Sequence, residues 1–453
     1  MTLLRRLRPF WLLLTPALLL GQEEDFRVYT EAPRLFLRPA RLRLLKRERE
    51  RQSIRWQQFD TLISGKAPMA EPGFAFALYS LTTGDKAYCE QAERAAGNDL
   101  RQMAIVFDWC ARPALAARIK QAADRLSTAK DVPSAAARTM AAAAMAEADA
   151  AWSEATMKDI VTRWWRGTMV PFIKSGGSVP RPDTLALFEL LIVVRDNLNL
   201  DLRDPVQGYF RDLPILHLLS YYPAAYPGPE NEYRIPYYTD DGEPDLKLAA
   251  RSRAAELAMV AFDNNAVESQ SLQSWLLLDR FLMRGTYGIV YEFLWANPYQ
   301  PGITFHHLPN VFHDTRSGRL YLRSTWEEDA TFFIYDRGKG QVFDSGKRAD
   351  VNIAAQKKPI RIGWASIVLG APKMQIETGY SVAERGDQPL EPGEKRPEET
   401  WFLVGLPPNT RFDIEPDDEE MYEARTDMGG ILELHYIKPR PLNVRIRQTP
   451  GQP

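Results

Sequence analysis

The stretch of this 453-residue chain densest in reactive side chains is YYPAAYPGPENEYRIPYYTDDGEPD, residues 221 to 245. It holds Tyr221, Tyr222, Tyr226, Tyr233, Tyr237 and Tyr238, together with Glu230, Asn231, Glu232 and Arg234. A phenol can take or give a proton and a guanidinium can neutralise an acidic group, so the loop has the parts for proton transfer on an anionic substrate. A plainer reading is an ordered loop whose rings cover the rim of the neighbouring helices, and residue types alone leave both open.

Other candidates are scattered. In SGGSVPRPDTLALFE, Arg181 could neutralise a carboxylate, while Asp183 most simply caps the helix that follows. His306 and His307 in PGITFHHLPNVFHD, with His313, fall where helical patterning gives way to strands and could line a cleft there. Adjacent residues on a strand face opposite ways, so the His306–His307 pair is poorly suited to one shared ion, and buried, hydrogen-bonded histidines are the expectation. His217 and His435 are expected to be structural. KGQVFDSGKRADVNIAAQ offers Asp344, Lys347, Arg348 and Asp350 but no imidazole, so no transition-metal site is expected there. Lys347 and Arg348 either bind an anion or form a solvated turn. Trp164 and Trp165 are neighbours on a helix, and one of them is expected to face away from the core. No metal and no cofactor are expected.

From Phe74 to about Trp295 the apolar positions recur with helical spacing, as in FAFALYSLTT closed by Gly84, LRQMAIVFDWCA and DTLALFELLIVVRDN. Helices joined in antiparallel pairs build α/α bundles or toroids. After about residue 303 the period changes to short alternating strands, among them GRLYLRSTW, DATFFIYDRG, TWFLVGL, GGILELHYI and LNVRIRQ. These predict an antiparallel β-sandwich. Residues 384 to 400 hold almost no apolar side chains and read as a mobile surface loop.

With 57 basic against 59 acidic residues, the chain has no global field to attract nucleic acid, and charged partners must be met locally. Arg5, Arg6 and Arg8 precede an apolar run from Phe10 to Leu20, the pattern of a bacterial signal peptide over residues 1–21. A periplasmic or secreted location follows as an expectation, with no stable membrane insertion after cleavage. Export would permit a bridge between Cys89 and Cys110, although two separate buried thiols fit the same helical settings.

APRLFLRPARLRLLKRE, ALYSLTTGDKAYCEQA and RLYLRSTWEEDATFFIYDRG, the last with Arg323, Ser324, Trp326, Asp329 and Ala330, resemble segments of the heparinase II/III-like, alginate-lyase-like polysaccharide lyases. The resemblance covers about residues 32 to 370. It implies an α + β multidomain chain: an N-terminal α/α toroid over residues 22–302 and a C-terminal β-sandwich over 303–453. It also implies an acidic, uronic-acid-containing polysaccharide cleaved by β-elimination. The family's tyrosine loop matches residues 221–245, which makes Tyr237 or Tyr238 the expected base. Tyr233, Arg234, Glu232, Asn231, Arg181, His306 and Lys347 are then expected to contact substrate. The chain departs from the family in two places. No asparagine or histidine opens the helix at Asp183, and no histidine lies between His313 and His435. The alternative is therefore an inactive lyase-like protein that binds glycan or serves the cell envelope structurally.

Overall fold

The computed structural model describes residues 24–223, 226–227, 232–236, 245–278, 285–336, 338–344, 347–356, 358–378, 399–418, 421–436 and 442–449. The signal peptide expected over residues 1–21 and most of the 384–400 segment lie outside these residues.

A helical region comes first: α1 (Pro39–Glu50), α2 (Ile54–Ser64), α3 (Pro72–Thr83), α4 (Ala87–Ala95), α5 (Leu100–Cys110), α6 (Ala116–Arg125), α7 (Val132–Ala144) and α8 (Ala150–Asp159). It continues with α9 (Val170–Lys174), α10 (Thr184–Leu198), α11 (Gln207–Leu219), α12 (Leu246–Phe262), α13 (Val267–Leu278) and α14 (Gly288–Trp295). Pro72 at the first turn and Gly84 in the left-handed conformation bound α3, the start and stop residues that its sequence predicts. Helices α3, α5, α7, α10, α12 and α14 pack each on the next. Tyr291 of α14 closes the series by touching Phe74 of α3, with ring centroids 5.4 Å apart. These helices are apolar nearly all round because they are covered on both sides; Ala141, Ala142, Ala143 and Ala144 of α7 are fully buried. Ahead of α1, Leu35 and Leu37 plug into this core, and the amides of Arg34 and Leu35 both donate to Asp108 at 2.7 and 2.9 Å. A disulfide joins Cys89 of α4 to Cys110 of α5, resolving the two readings of the cysteines.

Trp164 and Trp165 are both buried, against the expectation that one faces outward. They lie in a π-type turn over Ile160–Met169. The two indoles satisfy different carbonyls, Trp164 that of Lys130 and Trp165 that of Leu202.

A short antiparallel hairpin, β1 (Tyr226–Pro227) and β2 (Glu232–Tyr233), interrupts the helices. The C-terminal region then holds β3 (Val311–Asp314), β4 (Arg319–Arg323), β5 (Phe332–Asp336), β6 (Lys339–Asp344), β7 (Lys347–Val351), β8 (Ile360–Ile362) and β9 (Ala365–Leu369). It ends with β10 (Lys373–Glu377), β11 (Glu399–Val404), β12 (Arg411–Pro416), β13 (Tyr422–Arg425), β14 (Leu432–Tyr436) and β15 (Asn443–Gln448). The sandwich has three layers. A first sheet runs β3-β4-β5-β6-β7, a central one β14-β11-β9-β8 and an outer one β10-β15-β12-β13. All pairs are antiparallel except β9 with β11, which is parallel. The central strand β11 is buried on both faces: Phe402 and Val404 pack toward the first sheet, Trp401 and Leu403 toward the outer one. The first sheet is likewise two-faced. Leu320, Leu322, Phe333 and Tyr335 face the central sheet, while Tyr321 and Ile334 join the helical core.

His313 of β3 ties these layers together. Its Nδ1 lies 2.6 Å from Glu433 of β14 and its Nε2 lies 2.8 Å from Asp427. Burial alone would lower the imidazole's pKa, but the two carboxylates hold it up at about 9. Nearby, the turn before β4 and the loop before β14 touch backbone to backbone: a Cβ on Gly318 would lie 2.3 Å from Gly429.

Candidate functional site

The loop that begins at Tyr221 leaves α11 where the helices meet the first sheet. Tyr221 is buried, and its hydroxyl donates to Oε2 of Glu256, on α12, at 2.6 Å. The other oxygen of Glu256 accepts from Arg181 Nη2 at 2.6 Å, from Ser252 Oγ at 3.0 Å and from His217 Nδ1 at 3.2 Å. Arg181 also donates to Ser252 Oγ at 2.6 Å, to the His217 carbonyl at 3.0 Å and to Ser220. Burial alone would raise the Glu256 carboxyl; the His217 bond and the Arg181 charge more than offset it, so the group stays below its ordinary range. Burial, reinforced by Arg181, lowers His217 to about 4, so its imidazole is neutral. The arrangement is a buried ion pair with its remaining valences filled, the condition under which such a pair is tolerated.

Tyr222 faces the sheet. Its ring packs on Phe332 of β5 and Phe343 of β6, and its hydroxyl donates to Gln341. Gln341 in turn donates to Asp350 of β7 at 3.0 Å. On the same face of β4, Arg323 donates to the Tyr221 carbonyl at 2.9 Å and stacks over Trp326, 4.0 Å from the ring centroid. Arg234, from the returning part of the loop, donates to the Pro223 carbonyl at 2.7 Å and pairs with Glu328 at 3.0 Å. Its guanidinium lies 5.3 Å from the Trp275 ring centroid.

The far end of the loop reaches Asp245, whose side chain caps α12 through the Leu248 amide. Several helix N-termini converge at this face. Arg101 in the first turn of α5 grips Glu189 of α10 at 2.8 and 2.5 Å, reaches Glu71 before α3 at 3.0 Å, and meets Tyr291 of α14 at 3.0 Å. Beside this network lies an open cleft of about 600 Å³ lined by Glu71, Lys247, Arg251 and Tyr287 among others. Helix N-termini carry partial positive charge, so the cleft suits an anionic ligand. Asp183 stands at the start of α10, but its side chain makes no capping bond there. Burial first, and then Asp131, raise its pKa.

Tyr237, Tyr238 and Asn231 lie outside the described residues. Glu232 and Tyr233 are seen only as backbone partners in the β1–β2 hairpin. Arg181 is placed beneath the loop, but in the internal bridge to Glu256. His306 and His307 are exposed on a 3-10 turn, not buried on a strand as expected. His306 stacks on Phe305 with centroids 4.4 Å apart, and Phe305 packs on Trp275 and Trp326. Lys347 is exposed at the start of the edge strand β7. His435 is exposed, 2.9 Å from Glu433. Among the described residues no three His, Cys, Asp or Glu side chains converge as a metal site, and no helix is long and apolar enough to cross a membrane. Glu256 and Arg101 escaped the sequence reading, and Arg323 entered it only as part of the strand motif. Only Glu256 carried a signal, as a lone acid on the apolar stretch AAELAMV.

No family model matches this chain. No curated protein matches it either. Among solved structures it is similar to a heparan sulfate lyase HepC mutant from Pedobacter heparinus, at 11% identity and a TM-score of 0.36 over 84% of this chain and 76% of that one. At that level the likeness is too coarse to carry a residue-by-residue correspondence.

Proposed function

We propose that the chain is an exported polysaccharide lyase-like protein, that its closed series of helices is an α/α toroid, and that it acts on an acidic, uronic-acid-containing polysaccharide by β-elimination. One observation carries this reading: the tyrosine-rich loop is anchored at one end against the sheet and Glu256, and at the other at the N-terminus of α12. The six tyrosines and Arg234 thereby belong to a segment running from the sheet to a cleft fringed by Lys247, Arg251 and helix N-termini. The chemistry requires neutralising the sugar carboxylate, removing the C5 proton and protonating the leaving oxygen. Tyr237 or Tyr238 is assigned the base, and cationic side chains the carboxylate. The Cys89–Cys110 disulfide supports an oxidising location outside the cytoplasm.

The test is to incubate the protein with a panel of uronic-acid polysaccharides and follow ultraviolet absorbance from new unsaturated ends. Cleavage is expected, with Tyr237→Phe or Tyr238→Phe losing at least a hundredfold in rate. Full rate in both variants dismisses the assignment of the base. A second reading, glycan binding without turnover, draws on the histidines: His217 is held by the buried Glu256, and His313 by the half-buried Asp427 and Glu433. Binding with no new absorbance on any substrate would select it.

A further inference from the structure

Arg323 is 3% exposed, yet among the described residues it has no carboxylate partner. Its one hydrogen bond is to the Tyr221 carbonyl, its Nε has no partner, and its flat faces lie against Trp326 and Phe332, at 4.0 and 5.3 Å from their centroids. A buried cation ordinarily acquires a counter-charge, because leaving it without one costs several kcal/mol. Here another cation, Arg234, acts on it, and burial together with that neighbour lowers the Arg323 pKa to about 9. Glu328 pairs with Arg234 at 3.0 Å, and its side chain is 61% exposed. A rim ion pair of that kind contributes little and exchanges readily.

We infer that Arg323 and Arg234 form an oxyanion subsite for a carboxylate or sulfate ester on a sugar, with the Glu328 carboxylate standing in the ligand's place. Guanidinium forks match both oxyanions, and the buried indoles of Trp275 and Trp326 lie against the Arg234 and Arg323 guanidinium groups and hold them in place. The inference rests on the reading of an acidic glycan ligand, but not on cleavage. It places recognition of the acidic group at the root of the tyrosine loop, on β4.

The probes are sodium glucuronate and inorganic sulfate, titrated calorimetrically into the full-length protein. Wild type is expected to bind at least one of them. Arg234→Gln should weaken binding tenfold or more, and Glu328→Gln should tighten it at least threefold by removing the competing carboxylate. Arg323→Met should abolish binding while raising the melting temperature in the absence of ligand. Should Arg323→Met fail to fold, the opposed effects of the two rim variants still decide the matter. Absence of binding by wild type, or equal affinity in Arg234→Gln and Glu328→Gln, overturns the subsite. Anion binding with no turnover of any polysaccharide removes the lyase reading and leaves the subsite standing, whereas turnover indifferent to all three substitutions removes the subsite alone.

Discussion

Tyr221 and Glu256, 35 residues apart, are joined by a 2.6 Å hydrogen bond at the point where the tyrosine loop leaves the helices. Since the same carboxylate also receives Arg181 and His217, the bond fixes the root of the loop relative to α12.

Glu256→Ala should therefore cost about 3–5 kcal/mol, because it removes the buried carboxylate that offsets the part-buried Arg181 guanidinium. Tyr221→Phe, which leaves the ion pair intact, should cost only about 1–2 kcal/mol. Urea unfolding measures both. Equal losses would mean that Glu256 acts through the tyrosine and not through Arg181.

Stability should fall as the solution turns alkaline. The His313 pKa is raised to about 9 against an unfolded value near 6.5, so the folded state holds the proton more tightly. The resulting stabilisation is fully present below about pH 6.5 and is lost as pH rises through 9. Its size is about 3 kcal/mol, and Asp427 and Glu433, with His435 beyond, are the groups that set it. His217 works in the opposite sense: lowered to about 4, it costs stability as pH falls from about 6.5 toward 4. Melting curves across pH 4–10 should show both flanks, and His313→Gln should flatten only the alkaline one.

Reduction of the disulfide should destabilise the helical region by about 3 kcal/mol, the scale expected for a closed loop of this length. Comparing Cys89→Ser/Cys110→Ser with the oxidised protein by thermal unfolding checks it. An unchanged melting temperature would mean that the α4–α5 packing alone carries this corner.

Trp401→Ala and Phe402→Ala should each cost about 3–5 kcal/mol, although the two side chains point in opposite directions from β11. In a two-layer sandwich one of them would face water and cost far less. Denaturant titration of the two variants distinguishes the arrangements.

Much of this fold is legible in the chain, because α3 with Gly84 and the alternation in GRLYLRSTW obey local rules. The third layer was not anticipated: TWFLV, grouped above with the alternating strands, is in fact a continuous apolar run, the mark of a strand covered on both sides. The site is less legible because its decisive contacts join distant positions: Arg181 with Glu256, His313 with Glu433, Arg323 with Tyr221. No local period marks such pairs. The burial of both Trp164 and Trp165 was hidden for a different reason, since ordinary helical spacing does not anticipate a π-type turn.

The outer sheet has its last strand, β15, in an interior position between β10 and β12. During synthesis, β10 and the β12–β13 hairpin must therefore wait, with Met374 and Ile376 on one side and Phe412 and Ile414 on the other still lacking the strand that unites them. The layer can close only once residues 443–448 have been made, and β15 then pairs with two neighbours at once instead of extending an edge.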